Sequence, residues 1–177
     1  MSATHAAPIR LRRSKDERVN WVKSIPFLTM HVIPLAAFAT GATGFDWCLC
    51  SSLFVVRMFG ITGGNHRYFS HKSYQATRFW QFVMALLATS AAQKGVLWWA
   101  EKHRYHHRWS DQEQDIHSTK RHGFWYAHVG WVLNDRNHRF DGRLVQQFLK
   151  FPELRLMNRS PWVWIPPVGL GASVFFL

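Results

Sequence analysis

Long apolar runs alternate with polar, histidine-rich stretches along the chain. The first apolar stretch, residues 25–61, divides into two runs, 25–43 and 45–61, on either side of a glycine-containing turn. A helix rises about 1.5 Å per residue and needs roughly 20 apolar residues to cross a bilayer, so each run predicts a short membrane span. Residues 162–177 form another apolar run and predict the start of a third span. The alternative for the first stretch is a buried helical hairpin in a soluble protein.

Positive charge surrounds these apolar runs. Lys and Arg outnumber Asp and Glu by 22 to 10, and the net charge is +12. The segment 1–23, which precedes the first run, is basic, and the positive-inside rule therefore places this end in the cytoplasm. A hairpin that starts in the cytoplasm returns there, so the polar region 62–160 is predicted to face the cytoplasm as well. A nucleic-acid-binding protein can be equally basic, but the ten Trp residues and the basic flanks of apolar runs favour a membrane protein.

The motif 103–107, His-Arg-Tyr-His-His, is the first candidate for chemistry. Positions i, i+3 and i+4 share one face of a helix, and His103, His106 and His107 have that spacing. His106 and His107 diverge by about 100° on a helix, so they could serve two neighbouring metal ions. Neutral imidazole is a ligand for iron, zinc, copper and nickel. The chain has no Cys-x-x-Cys pair, which argues against a structural zinc finger.

A second pair of histidines, His66 and His71, lies upstream at the end of the second apolar run. Residues five apart are about 140° apart around an ideal helix, so these two side chains converge only if the helix ends or distorts there. Gly63 and Gly64 make such an irregularity plausible. The alternative interpretation of both motifs is a basic, aromatic-rich surface loop with incidental histidines. The close grouping of five histidines favours a metal site.

The region after the second motif contains scattered histidines and a short acidic cluster. His117, His122, His128 and His138 are interpreted as surface residues or as residues that support ligands. Nearby acidic side chains could accept hydrogen bonds from ligand imidazoles and so fix their tautomers.

The apolar segment 79–92 is too short to span a membrane comfortably, at about 14 residues. A crossing there would also place the two histidine motifs on opposite sides of the bilayer. We therefore predict a helix over Arg78–Trp99 that is buried in the cytoplasmic part or lies in the interface. The predicted fold class is all-α: an integral membrane helical protein with a histidine-rich cap, two spans and the start of a third.

Three segments resemble the membrane fatty acid desaturases, and are most similar to the acyl-CoA Δ9-desaturase (stearoyl-CoA desaturase-like) branch. Gly60 to Tyr74 resembles the first histidine box of that family, and Trp99 to Asp111 resembles the second. Gly123 to Leu133 resembles the aromatic stretch that follows the second box.

The resemblance implies O2-dependent desaturation of a fatty acyl chain, carried as acyl-CoA, with formation of a cis double bond. It implies two iron ions per site and a kinked apolar tunnel for the acyl chain. Electrons would come from cytochrome b5, ferredoxin or rubredoxin and an NAD(P)H reductase. The protein would reside in a bacterial inner membrane or the endoplasmic reticulum, in contact with membrane lipid, and no nucleic acid partner is expected.

The resemblance also assigns roles by motif position. The implied metal ligands are His66, His71, His103, His106 and His107. The implied substrate-binding residues are Gln93 and Trp99 beside the tunnel kink, Trp131 near the coenzyme A group, and Arg136 as a looser candidate.

The chain departs from the family pattern in three respects, one of which is Asp135, which stands where a basic coenzyme A contact would be expected. The third box of the family, His-x-x-His-His, and a further ligand upstream of it follow the fourth span, so residues 1–177 are expected to be one incomplete domain that supplies part of the ligand set. Glu101 and Lys102 stand where the animal enzymes carry Arg-Asp. Two alternatives therefore remain: a catalytically inactive truncated desaturase fragment, and a related membrane di-iron hydroxylase.

Overall fold

The computed structural model describes residues 19–176, and its regular elements there are all helical, which confirms the all-α prediction. Most of the basic segment predicted to face the cytoplasm (residues 1–18) and Leu177 lie outside the described residues. The α-helices are α1 Trp21–Val32, α2 Ala37–Thr40, α3 Gly44–Phe59, α4 Arg78–Ser90, α5 Val96–Trp109, α6 Thr119–His122, α7 Gln146–Leu149, α8 Pro152–Met157 and α9 Ile165–Phe175. The π-helices are Gly60–Ser70 and Tyr126–Gly130, and the 3-10 helices are Ile33–Ala36, Asp135–His138, Arg143–Val145 and Trp162–Trp164.

The first two predicted spans differ in continuity. The first is interrupted by a 3-10 turn, Ile33–Ala36, which contains Pro34, and it ends at Gly41, whose φ is 76°. The second is continuous, because α3 passes directly into Gly60–Ser70, which is called the π-helix from here on. Gly44–Ser70 is therefore one helix of 27 residues. Among the described residues, this helix alone is long and apolar enough to cross a membrane, and Ser24–Thr40 and Trp162–Phe175 are shorter apolar helices.

The buried core is formed by residues between Tyr68 and Met157, rather than by the apolar helices α1–α3 and α9. It joins the π-helix, α4, α5, α7 and α8 through closely packed side chains. Its largest fully buried members include Phe69, Leu97 and Leu154. By contrast, the apolar side chains of α3 and α9 face outward, as Phe54 (64% exposed) and Phe175 (83% exposed) show. The molecule therefore combines one packed histidine-bearing part with apolar helices that present their side chains to the surroundings.

The prediction of a single helix over Arg78–Trp99 is wrong, because α4 ends at Ser90 and α5 begins at Val96. Ala92 and Lys94 adopt left-handed conformations, with φ of 59° and 66°, and separate α4 from α5. The N-terminus of α5 is capped by a residue far away in the sequence, because Asn158 Oδ1 accepts a hydrogen bond from Trp98 N at 2.8 Å. The break allows α5 to begin in a new direction, and α5 carries the second histidine motif.

The π-helix approaches α4 very closely. A Cβ atom at Gly60 would lie 2.7 Å from the backbone carbon of Leu87, and one at Gly64 would lie 3.2 Å from Met84 O. Only glycine fits at Gly60 without a shift of backbone, so this position sets the distance between the two helices.

Candidate metal centre

The π-helix brings His66 and His71 together. Its hydrogen bonds join residues five apart, and the last of them runs from His71 N to His66 O at 3.0 Å. The two imidazole centroids are 4.5 Å apart, although an ideal α-helix would turn these side chains about 140° from each other. The structure therefore contains the helix distortion that these two side chains need in order to converge.

Helix α5 supplies two further imidazoles to the same place. His103 and His107, one turn apart, have ring centroids 4.5 Å from each other. The ring of His66 lies 4.7 Å from that of His103, and the ring of His71 lies 4.8 Å from that of His107. One ring nitrogen from each of the four residues lies within 4.8 Å of the others. Four imidazoles from two separate segments thus surround one point.

The spacing and the protonation of these nitrogens suit a metal ion. His71 Nε2 and His103 Nε2 are 3.1 Å apart, and two nitrogens bound to one metal ion at about 2.1 Å are separated by roughly 3 Å. Burial, followed by the neighbouring imidazoles, lowers the pKa of His103 to about 3. The pKa of His71 is lowered by burial first, and then by the nearby imidazoles of His66 and His107 and the guanidinium of Arg104. Neutral imidazoles keep the lone pair that a metal ion requires.

His106 turns away from this group and contacts Asp115 instead. Its Nδ1 lies 2.8 Å from Asp115 Oδ1, and the carboxylate also accepts hydrogen bonds from the backbone N–H groups of Asp111 and His117. Burial raises the pKa of Asp115, but the hydrogen bonds outweigh it and hold the pKa below its ordinary value. An ionised Asp115 fixes the proton on Nδ1 of His106 and leaves Nε2 with its lone pair, as carboxylates beside metal-bound histidines do.

The sequence left His117 as either a surface residue or a residue that supports a ligand, and the structure places it against His106. Their rings stack at 4.0 Å with an interplanar angle of 24°, and with Asp115 they form a second group that could hold a metal ion. Nearly parallel rings direct their lone pairs side by side rather than toward one point, so we interpret His117 as a support for His106. The Asp-x-His spacing of residues 115–117 was the available sequence signal.

The residues implied for substrate binding are partly brought together. Trp99 stacks on His103 at 4.9 Å, and its Nε1 donates a hydrogen bond to Gln93 Oε1 at 3.2 Å. Trp131 lies 4.9 Å from His117, beside the second group. Arg136 lies exposed in the 3-10 turn that follows. Trp99 therefore borders the four-histidine group, Gln93 adjoins it through its hydrogen bond to Trp99, and Trp131 borders the second group.

Together, the fold and the site define an all-helical protein with a polyhistidine centre suited to metal ions. Comparison with known proteins specifies the family. The chain is 34% identical over 157 residues to a Δ9-fatty-acid desaturase of Caenorhabditis elegans, across 85% of the chain and 46% of that relative. It is 33% identical over 169 residues to an sn-1 stearoyl-lipid 9-desaturase of Anabaena variabilis, across 93% of the chain and 60% of the relative. A probable acyl-CoA desaturase of Schizosaccharomyces pombe is 42% identical over 84 residues, or 48% of the chain and 17% of the relative.

The chain belongs to the fatty acid desaturase family, and the matches support its Δ9 branch. It spans about half the length of the first two relatives. No family model matches the sequence.

Proposed function

We propose that this chain forms the histidine-box part of an enzyme that introduces a cis double bond into a fatty acyl chain. The observation that carries the proposal is the convergence of His66, His71, His103 and His107 on one point. The similarity to desaturases over 85% and 93% of the chain supports the same conclusion.

The metal is iron, with two ions per site. His66, His71, His103 and His107 hold the first ion, and His106 contributes to the second, with further ligands expected from the part of the relatives that this chain does not span. When bound, the two irons supply the activation of O2 that attack on an unactivated C–H bond requires. Asp115 keeps His106 in the tautomer that exposes Nε2, and the Trp99–Gln93 hydrogen bond fixes the indole against His103.

The acyl chain is proposed to bind in a groove of about 510 Å³ along α3, which is also lined by the turn between α4 and α5 and by Val174 of α9. Leu53, Phe54 and Val174 give the groove an apolar lining, and Gln93 extends it toward the histidines. Arg57 also lines the groove, with its Nε buried and without a hydrogen-bond partner. A groove of this size and character can hold a long alkyl chain, and its position beside Gln93 would bring a carbon of that chain to the metal centre.

The enzyme is proposed to be an integral membrane protein whose cap faces the cytoplasm. The 27-residue apolar helix and the outward-facing apolar side chains of α9 support membrane insertion. Fatty acyl-CoA is the proposed substrate, with a tryptophan-bordered site at Trp131 for the headgroup. O2 and an electron donor such as cytochrome b5, ferredoxin or rubredoxin complete the reaction.

Product analysis tests this proposal. The protein, completed to the length of its relatives, is expressed in a host without its own desaturase, and lipids are analysed by gas chromatography and mass spectrometry. A new cis-monoene that disappears in the His103→Ala variant is expected. An alcohol would indicate the hydroxylase, and a wild-type protein with neither product nor bound iron would contradict the proposal.

A further inference from the structure

Arg104 lies between the two histidine motifs, and its hydrogen bonds use every N–H group that it has. Nε donates to Ser70 O at 2.7 Å, Nη2 donates to Phe69 O at 2.6 Å, and Nη1 donates to Leu144 O. The amide oxygen of Gln147, in the orientation that satisfies its own hydrogen bonds, accepts from Nη1 and Nη2 at 2.8 and 2.9 Å. A guanidinium has five N–H donors, so this side chain is fully satisfied.

The acceptors explain what the side chain holds in place. The carbonyls of Phe69 and Ser70 are the last two of the π-helix and immediately precede His71. The nearby backbone N–H groups bond elsewhere, to the carbonyls of His66, Arg67 and Tyr68. The final carbonyls of a helix lack partners within it and carry partial negative charge, which favours a cation at this end. Arg104 therefore caps the π-helix from α5.

The position of Arg104 in the chain gives this cap a consequence for the metal centre. Its neighbour in α5 is His103, and its acceptors adjoin His71, whose Nε2 lies 3.1 Å from His103 Nε2. No carboxylate accepts any of the five hydrogen bonds, so the interaction is with backbone carbonyls and one amide rather than a salt bridge. The side chain ties together the π-helix, α5 and the segment 144–147.

We propose that Arg104 is a positioning residue that holds the His66–His71 motif within ligation distance of His103 and His107. This inference rests on the proposed metal site. It predicts that lysine cannot substitute, because an ammonium donates from one point and cannot reach acceptors spread around a planar fork. In a lysine variant, the free energy of metal binding is therefore expected to fall by more than the free energy of unfolding.

The test uses Co²⁺ as a spectroscopic probe of the full chain, purified in detergent and freed of metal. Arg104→Lys is compared with Arg78→Lys, a matched control that removes a bidentate pair between α4 and α8, 2.8 and 2.9 Å from Glu153, away from the histidines. Co²⁺ affinity and thermal unfolding of the metal-free protein are measured for each. Arg104→Lys is expected to weaken Co²⁺ binding at least about tenfold, the size of effect seen when groups that orient metal ligands are lost, whereas Arg78→Lys leaves it unchanged.

The outcomes separate this inference from the proposed function. Wild-type affinity in Arg104→Lys, or equal losses in the two variants, would overturn the positioning role. If Arg104→Lys does not fold, Gln147→Ala decides, because it removes one acceptor and retains the arginine. A smaller loss of affinity at unchanged stability is expected, and unchanged affinity would overturn the inference. A wild-type chain that binds no Co²⁺ would refute the metal site itself.

Discussion

The side chains of the candidate metal centre are of two kinds. Some offer a nitrogen lone pair to a metal ion, and others determine which ring nitrogen of a histidine is offered. His66, His71, His103 and His107 belong to the first kind. Asp115 belongs to the second, because its buried carboxylate fixes His106 through Nδ1. Removal of a residue of the first kind should abolish a ligand, and removal of one of the second kind should weaken it.

Asp115→Asn is expected to weaken metal binding at His106 by about 10–100-fold, as the loss of a carboxylate behind a ligating histidine typically does. The amide is a poorer acceptor, and its NH2 group would face donors. Titration of the metal-free protein with Fe²⁺ measures the change. Asp141→Asn, at an exposed carboxylate paired with Arg143, is the control and should retain wild-type affinity. Equal behaviour of the two variants would contradict the role of Asp115.

His106→Ala and His107→Ala are each expected to abolish desaturation in the enzyme completed to the length of its relatives. The two histidines point to different groups, so either change leaves one metal ion with an incomplete ligand set. Product formation and iron per chain are measured together. Full activity in either variant would remove that residue from the ligand set.

At the scale of elements, the site depends on the π-helix and on its contact with α4. The π-helix turns His66 and His71 to the same side, and glycines at its interface allow it to lie directly on the backbone of α4. The element that presents the proposed ligands His66 and His71 is therefore held by close backbone packing on one side and by Arg104 at its end.

Gly60→Ala is expected to destabilise the protein by about 1–3 kcal/mol, because the added methyl group overpacks a site walled by backbone. Its Cβ would lie 2.7 Å from the carbonyl carbon of Leu87. Gly44→Ala is the matched control, since a Cβ there meets nothing within 4 Å and alanine favours the helix. Thermal unfolding in detergent measures both variants. Equal stability in the two would show that helix contact is looser than described.

Sequence patterns predicted some elements better than others. Apolar runs located α3 and α9, and the i, i+3, i+4 spacing located the face of α5, because these features are local. The break between α4 and α5 was missed, since Ala92 and Lys94 carry no signal for the left-handed conformation that they adopt. The stacking of His117 on His106 was missed as well, because it depends on how a loop folds back over a helix.

At the scale of the whole molecule, a packed histidine-bearing part is joined to apolar helices with exposed side chains. We expect the chain to remain in the membrane pellet after extraction with alkaline carbonate, since burial of these side chains in lipid is favourable. Partition of the wild-type protein into the soluble fraction would contradict membrane insertion. Protease protection in sealed membrane vesicles that have not been treated with carbonate tests the proposed cytoplasmic face of the cap.

X-ray absorption spectroscopy of the iron-loaded chain tests most directly whether imidazoles from two separate segments hold the metal. We expect a first coordination shell of nitrogen and oxygen atoms, with strong outer-shell scattering from several imidazoles. This scattering should weaken both in His71→Ala and in His103→Ala, because each segment contributes ligands. Bound iron without imidazole scattering, or a spectrum unchanged by either substitution, would contradict a metal centre held by both histidine motifs.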